Sequence, residues 1–404
     1  MRRPRWLLLV AMLSALSLVA AACGGDDPEP TGGDEPGDNV DCEWVIGTMG
    51  ALSGDAASLG RPIAQGVEYA VKQANEEGEL PCELVYMEED SQGDQTQAPA
   101  LAEKLVGEEN LIFCACPYFS GETLATGGIF AAAGVAISGT GTNETIDEQD
   151  PPFTTWHRAV APDNIQAEVA AAYIADGLGA TTTAVIHDNQ DYSKGLADAV
   201  KENLGDAAEG PFIINPEESD FSAVVEQVNQ VNPDVVFYGG YTPEAGPLLK
   251  QLREAGVEAT FLSDDGAKDP TFGGLAGDAN AEGALVTCPC VDPLKIDAAA
   301  DFVEGMQAEY GKNAPGTFAA DVYDVTTMVI EGLKDYEEDP TDITAVREAV
   351  VTLFDEANFE GIAKTYSWEE SGEFVGGPED IWIYEWSNEA ENFVSIGPAS
   401  DLIE

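Results

Sequence analysis

Histidine and positive charge are what this chain of 404 residues has least of. It contains two His, His157 and His187, so a multi-histidine metal centre cannot be assembled and a Ser-His or Cys-His nucleophile has few candidate bases. Lys and Arg number 17 against 75 Asp and Glu, a formal net charge of −58 at pH 7. A surface of that sign repels phosphate backbones and anionic headgroups, whose binding needs clustered basic side chains. Nucleic acid is thereby excluded as a partner. There is no Gly-x-Ser-x-Gly nucleophile elbow and no phosphate-binding P-loop, which leaves an enzyme the weaker reading. Beyond Ala20 no apolar run approaches the ~18 residues of a membrane span.

What is there begins with an export leader. Arg2, Arg3 and Arg5 precede an apolar run from Trp6 to Ala20, followed by Ala20-Ala21-Ala22-Cys23-Gly24-Gly25. Small residues directly before a Cys resemble a lipobox, so residues 1–22 are expected to be a lipoprotein signal peptide and Cys23 the lipidated new N-terminus. Plain cleavage after Ala22, leaving a free thiol, is the alternative. Residues 23–41 are Asp, Glu, Pro, Gly and Thr with almost nothing apolar, a composition that cannot offset its ordering entropy. They are expected to form a disordered acidic tether holding the chain to the outer face of the cell membrane.

The whole chain is 44% hydrophobic, and from Cys42 onward short β-rich runs alternate with helical periodicity, the mark of a parallel α/β sheet. Strands are expected at Trp44–Met49, Glu83–Met87, Leu111–Cys114 and Val135–Ile137. Ile63, Val67, Ala70, Val71 and Ala74 stripe the first intervening helix. A second series follows Phe153–Arg158, with strands at Thr183–His187, Phe212–Ile214, Val235–Tyr238 and Thr260–Ser263. The fold class is therefore α/β, two Rossmann-like lobes in tandem. The tail, with helices at Ala299–Tyr310, Ala319–Gly332 and Ile343–Leu353 and strands near Thr365–Trp368 and Ile381–Trp386, is too short for a third domain and should complete the other two.

Besides Cys23 there are six cysteines, Cys42, Cys82, Cys114, Cys116, Cys288 and Cys290. An even count in an exported chain favours disulfides. Cys42 and Cys82 each open a strand in consecutive βα units, whose strands lie side by side, so they are the expected pair. The two Cys-x-Cys pieces are expected to be bridged to each other, Cys114/Cys116 to Cys288/Cys290. A four-thiolate zinc site is the sharper alternative, but its usual spacing is wider.

In open α/β sheets ligands bind beyond the carboxyl ends of strands. There the chain places Tyr118, Phe119 and Ser120 after one strand and Ser138-Gly139-Thr140-Gly141-Thr142-Asn143 after the next. In the second series Tyr192, Gly239-Gly240-Tyr241 and Asp264-Asp265-Gly266 occupy the same positions. Hydroxyls at a helix start suit a carboxylate, and an acid among phenols suits an ammonium. The pattern is complementary to a zwitterion, its carboxylate toward Ser120 and Thr142 and its ammonium toward Asp265. Taken singly, Ser120 also reads as a helix cap, the tyrosines as packing, Asp265 as a turn residue, His157 as an interlobe residue and His187 as a strand-end residue.

The segments Gly47–Gly60 (GTMGALSGDAASLG), Glu88–Asp94 (EEDSQGD), Ile186–Ala197 (IHDNQDYSKGLA) and Val235–Gly246 (VVFYGGYTPEAG) resemble the type I periplasmic solute-binding proteins of ABC importers, and most closely the leucine/isoleucine/valine-binding proteins, over roughly residues 42–387. The resemblance implies two lobes joined by a three-strand hinge, residues 42–158 plus 291–378 and 159–290 plus 379–404. They would close as a monomer on an amino acid, branched-chain or otherwise aliphatic, without chemistry or cofactor, and deliver it to membrane permease subunits. It assigns the grip to Ser120, Thr140 through its carbonyl, Gly141, Thr142, Tyr192, Tyr241 and Asp265, with Phe318 lining the side-chain pocket. Three departures bear on ligand preference. Leu59 replaces a pocket tyrosine, Tyr118 and Phe119 replace smaller residues, and Asp265 is one methylene shorter than the usual glutamate. A sensor presenting a small amide, urea-like compound or amino acid to a membrane receptor is the alternative reading.

The acidity exceeds what any cleft requires and points to a saline setting in which salt screens self-repulsion. The melting temperature should therefore rise between ~10 mM and ~1 M NaCl, as the Debye length shrinks from ~30 to ~3 Å. A flat or falling curve in a calorimetric salt series contradicts this.

Overall fold

Strands covered on both faces need near-continuous apolar runs, and Leu111–Ala115 (LIFCA), Thr183–His187 (TAVIH) and Val235–Gly239 (VVFYG) are buried at every position. The computed structural model describes residues 42–216 and 218–403. The signal peptide, Cys23 and the tether lie outside them. Among the described residues no helix is long and apolar enough to cross a membrane.

The first sheet holds β1 (Glu43–Gly50), β2 (Glu83–Asp90), β3 (Leu111–Ala115), β4 (Ala136–Gly139) and β5 (Trp156–Arg158) in the order β2-β1-β3-β4-β5. All its pairings are parallel. The second is built on β6 (Thr183–His187), β7 (Ala208–Ile213), β8 (Val235–Gly239), β9 (Thr260–Ser263) and β10 (Leu285–Cys288). After a two-stranded pair, β11 (Phe359–Glu360) with β12 (Thr365–Tyr366), the chain returns to extend the second sheet by β13 (Trp382–Ser387) and β14 (Asn392–Pro398). Its order is β14-β13-β10-β9-β8-β6-β7, parallel except at the β10–β13 and β13–β14 pairings. Three times the chain passes between the sheets' layers: after β5, after β10 and before β13.

The helices between β10 and β13 return to the first sheet. The Trp44 indole donates to the Pro340 carbonyl at 2.9 Å, and the Arg347 guanidinium reaches the Leu111 carbonyl at 2.7 Å. Helix Ala319–Leu333 lies along helix Ala57–Glu77, where the Tyr323 hydroxyl donates to Gln73 at 2.7 Å. His157 belongs to this packing. It was expected between the lobes, yet its ring stacks on Phe354 at 4.5 Å and stands edge-on to Trp368, because alternation along β5 turns it toward helix Ile343–Asp355.

Cys42 is bonded to Cys82, at the parallel start of β1 and β2. The bridges expected between the two Cys-x-Cys pieces are replaced by Cys114–Cys116 and Cys288–Cys290. The reason is topological: Cys114 lies in β3 of one sheet and Cys288 ends β10 in the other. The same pairings overturn the zinc alternative, and among the described residues no group of three or more His, Cys, Asp or Glu could hold a metal ion.

Loop-closure entropy makes the first bridge the stabilising one, since it spans 40 residues and the others two. Replacing both Cys42 and Cys82 by Ser should lower unfolding free energy by about 2–4 kcal/mol, and the corresponding Cys114/Cys116 pair by much less. Urea unfolding of the two double variants checks the order; equal losses contradict it.

Candidate functional site

Both sheets reverse strand order at their centre, the first between β1 and β3, the second between β6 and β8. Such switch points leave a crevice at the carboxyl edge, because adjacent connections leave in opposite directions. The two crevices face each other. Helix Ser120–Ala133 starts after β3, helix Asp191–Leu204 after β6 and helix Thr242–Glu254 after β8, each beginning at the cleft.

One small cavity is lined by Leu59, Ile63, Tyr118, Phe119, Ser120, Thr140, Thr142, Tyr192, Tyr241, Asp265 and Phe318. Its volume is about 10 Å³, roughly one water. Ten of the eleven ligand residues expected from sequence therefore meet at one point. Gly141 does not line it. Its carbonyl accepts from Arg158, and a Cβ there would lie 2.7 Å from Thr123 Oγ1 and 3.2 Å from Ser120 Cα.

The Ser120 hydroxyl oxygen accepts from the backbone N–H of Thr142 and of Asn143, both at 3.1 Å. Its own O–H stays free to donate. The Thr140 hydroxyl donates to the Tyr118 carbonyl at 2.8 Å, leaving the Thr140 carbonyl as its polar group for a ligand. Tyr118 turns its hydroxyl away to Thr48, with its ring laid over Gly50. Across the cavity the Asp265 Oδ1 accepts from the Tyr192 hydroxyl and the Gln166 amide, both at 2.8 Å. Phe318, directly before helix Ala319–Leu333, holds φ +60°, a left-handed conformation costing on the order of 1–3 kcal/mol for a bulky residue.

Two supports were not foreseen. Gln166 is a polar residue on the Ala167–Ala170–Ala171 side of its helix, and that misplaced amide was the available signal. Arg158 is fully buried; its Nη1 and Nη2 donate to the carbonyls of Gly141 and Asn143, and Nε and Nη2 donate to Glu373 at 2.8 Å. It pins the turn that presents Thr140 and Thr142. Glu373 lies 215 residues away, so no local pattern reveals the pair.

The electrostatics are one-sided. Burial pushes the Asp265 and Asp264 carboxyls up, the latter also through repulsion by its neighbour, while Gln166 and Tyr192 draw Asp265 back down. Burial likewise raises Asp163, both of whose oxygens lack a hydrogen-bond partner of ordinary geometry although the Thr142 hydroxyl is close. Burial pushes Glu122 up to about 7 and Glu244, with Asp188 adding repulsion, up to about 8. His187 sits at its strand end, where Nδ1 accepts from the Asn189 N–H at 2.9 Å.

Residues 43–391 match the periplasmic binding protein family. The chain belongs to that family. The Leu/Ile/Val-binding protein homolog 3 of Brucella melitensis is 30% identical over 84% of this chain and 91% of its own length. In solved structures, the leucine binding protein of Thermotoga maritima superposes with a TM-score of 0.77 at 22% identity, covering 88% of this chain and 99% of its own. A branched-chain amino acid substrate binding protein of Streptococcus pneumoniae, in complex with isoleucine, gives 0.75 at 21% identity over 87% and 99%. These two fix the fold as that of type I periplasmic binding proteins. Membership makes the chain an extracytoplasmic solute-binding protein and not an enzyme.

The raised carboxyls give pH effects of opposite sign. A folded-state pKa above the unfolded value means the folded chain takes up protons that the unfolded chain does not as pH falls. The melting temperature of the ligand-free periplasmic binding protein should therefore rise between about pH 8 and about pH 5, opposed below about pH 6.5 by His157, which burial holds below its ordinary value. Affinity for an ammonium ligand should fall over the same interval as Asp265 becomes protonated. Scanning fluorimetry and isothermal titration across that range check both signs.

Proposed function

We propose that this chain is a lipid-anchored receptor for a free amino acid, aliphatic or branched-chain, which it hands to the permease subunits of an ATP-driven importer. The lobes are residues 42–158 plus 291–378 and 159–290 plus 379–404, with the anchor at Cys23. The observation that carries the reading is the buried Asp265 carboxylate facing the free Ser120 O–H across a single cavity. A zwitterion satisfies both at once, and Leu59, Ile63 and Phe318 offer apolar walls to its side chain. The relatives support the same ligand class, since the Brucella protein is named for leucine, isoleucine and valine and the Streptococcus structure holds isoleucine.

A cavity of about 10 Å³ is far smaller than any amino acid, so admission requires the lobes to part. The contacts that must separate include the Phe119 ring edge-on to Tyr241 at 5.5 Å, the Asn143 amide donating to the Asp191 carbonyl at 2.8 Å, the Lys268 ammonium near the Thr317 hydroxyl at 3.2 Å and that hydroxyl donating to the Lys268 carbonyl at 2.9 Å. Rotation about the three crossings breaks these contacts without disturbing either sheet.

Inside the closed cleft, losing one member of a charge-assisted pair leaves the other desolvated and unpaired. Asp265→Asn should weaken amino-acid binding by ~2–5 kcal/mol, roughly 30-fold to several-thousand-fold, with the fold intact by circular dichroism. Ser120→Ala should cost about 0.5–1.5 kcal/mol, up to ~3 with its carboxylate partner fully buried. Isothermal titration against the twenty amino acids, urea and short amides identifies the ligand first. Wild-type affinity in Asp265→Asn moves the assignment to a neutral amide or urea-like ligand.

A further inference from the structure

Outside the Phe119–Tyr241 contact lies a larger chamber of about 350 Å³, which shares Phe119, Tyr192 and Tyr241 with the inner cavity. Its wall carries four carboxylates, Asp55, Glu122, Asp191 and Glu244, and among the described residues no Lys, Arg or His lines it. We infer that this chamber is a second subsite, built for an organic cation of the alkylammonium or guanidinium class.

Glu122 is the decisive residue. It is fully buried in the first turn of helix Ser120–Ala133, on the chamber wall, and neither Oε has a hydrogen-bond partner among the described residues. Ser91 and the Phe119 and Tyr118 amides are close enough to ease its burial but not to bond either oxygen in ordinary geometry. A buried acid left without a partner is costly, and a cationic donor reaching into the chamber removes that cost. Glu244 is buried on the same wall, and burial with repulsion from other acids raises both carboxyls, which a bound cation reverses.

The rest of the lining fits the same guest. The carboxylates do not converge closely enough to make a metal site, so a compact metal ion is a poor occupant and an extended one with several donors a good one. Phe119 and Tyr241 set ring faces and edges beside the carboxylates, suited to methylenes and to cation–π contact. Tyr192 lines both spaces, while its hydroxyl is bound to Asp265. The inner grip and the chamber are thus one side chain apart. The cation has two sources: the far end of a basic amino acid gripped inside, or a separate free amine. The first rests on the amino-acid reading above; the second does not.

Titration calorimetry of the full mature chain at about 0.15 M NaCl, where long-range attraction to the acidic surface is screened, separates them. Leucine, lysine, arginine and cadaverine are titrated into wild type, Glu122→Gln, Glu244→Gln and the exposed control Glu338→Gln. The expected result is that Glu122→Gln lowers the lysine-to-leucine or arginine-to-leucine affinity ratio about tenfold or more. Glu244→Gln should do the same and carries the test if Glu122→Gln does not fold, while Glu338→Gln leaves the ratio unchanged. Cadaverine binding that depends on Glu122 upholds the chamber with a free amine as occupant. Lysine binding that depends on Glu122 or Glu244, without cadaverine binding, upholds it with the far end of a gripped amino acid. The inference is overturned if lysine, arginine and cadaverine all fail to bind, or bind with no dependence on Glu122 or Glu244. Leucine binding, and its loss in Asp265→Asn, reports on the amino-acid reading independently.

Discussion

The burial of the Asp265 carboxylate is the constraint around which the cleft is organised. Among the described residues no basic side chain lies within ion-pair distance of it, so its charge is supported by two neutral donors, the Tyr192 hydroxyl and the Gln166 amide. Each comes from a different helix, and the acid itself follows a third element, β9. Asp264 adds to the arrangement by accepting from the N–H groups of Gly240 and Gly266, which fixes the loops after β8 and β9 together. Gly266 is needed there: a Cβ would lie 2.5 Å from the Gly240 carbonyl oxygen and press on the Tyr192 and Tyr241 rings at 3.0 and 3.1 Å. A site so dense in acids is stable enough to fold yet incompletely satisfied, which is the state from which a cationic group gains most on binding.

The facing wall answers with rigidity. The fully buried Arg158 guanidinium holds two turn carbonyls and makes a bidentate contact to the partly buried Glu373. A buried ion pair contributes little net stability against an apolar substitute, but it fixes geometry, and here it fixes the turn bearing Thr140 and Thr142. The pair also ties the segment after β12 to the first sheet, so the tail that crosses back from the second lobe helps hold the turn beside the cavity.

Much of this was legible in the sequence because strand ends are where side chains must emerge. Parallel strands are apolar on both faces, so the first polar residues after Leu111–Ala115, Val235–Gly239 and Thr260–Ser263 mark the cleft without knowledge of the fold's details. The Cys42–Cys82 pair followed from the adjacency of β1 and β2. What failed was long-range. Strand β10 is only four residues, ending in the cysteine whose partner was misassigned, and β14 lies at a sheet edge with Val394 and Ile396 exposed. Gln166, Arg158 and Glu373 act through contacts over 99 and 215 residues, which no periodicity records. The outer chamber was invisible for the same reason, since its four acids stand on four separate segments in a chain where acids are everywhere.

The most direct test of the zwitterion grip is a crystal structure of the chain with the amino acid that calorimetry selects. The account predicts the ligand ammonium within hydrogen-bond distance of an Asp265 oxygen, and its carboxylate accepting from the Ser120 hydroxyl beside the Thr140–Thr142 turn. A ligand bound with its ammonium away from Asp265, or held outside the space between the two sheets, would contradict it.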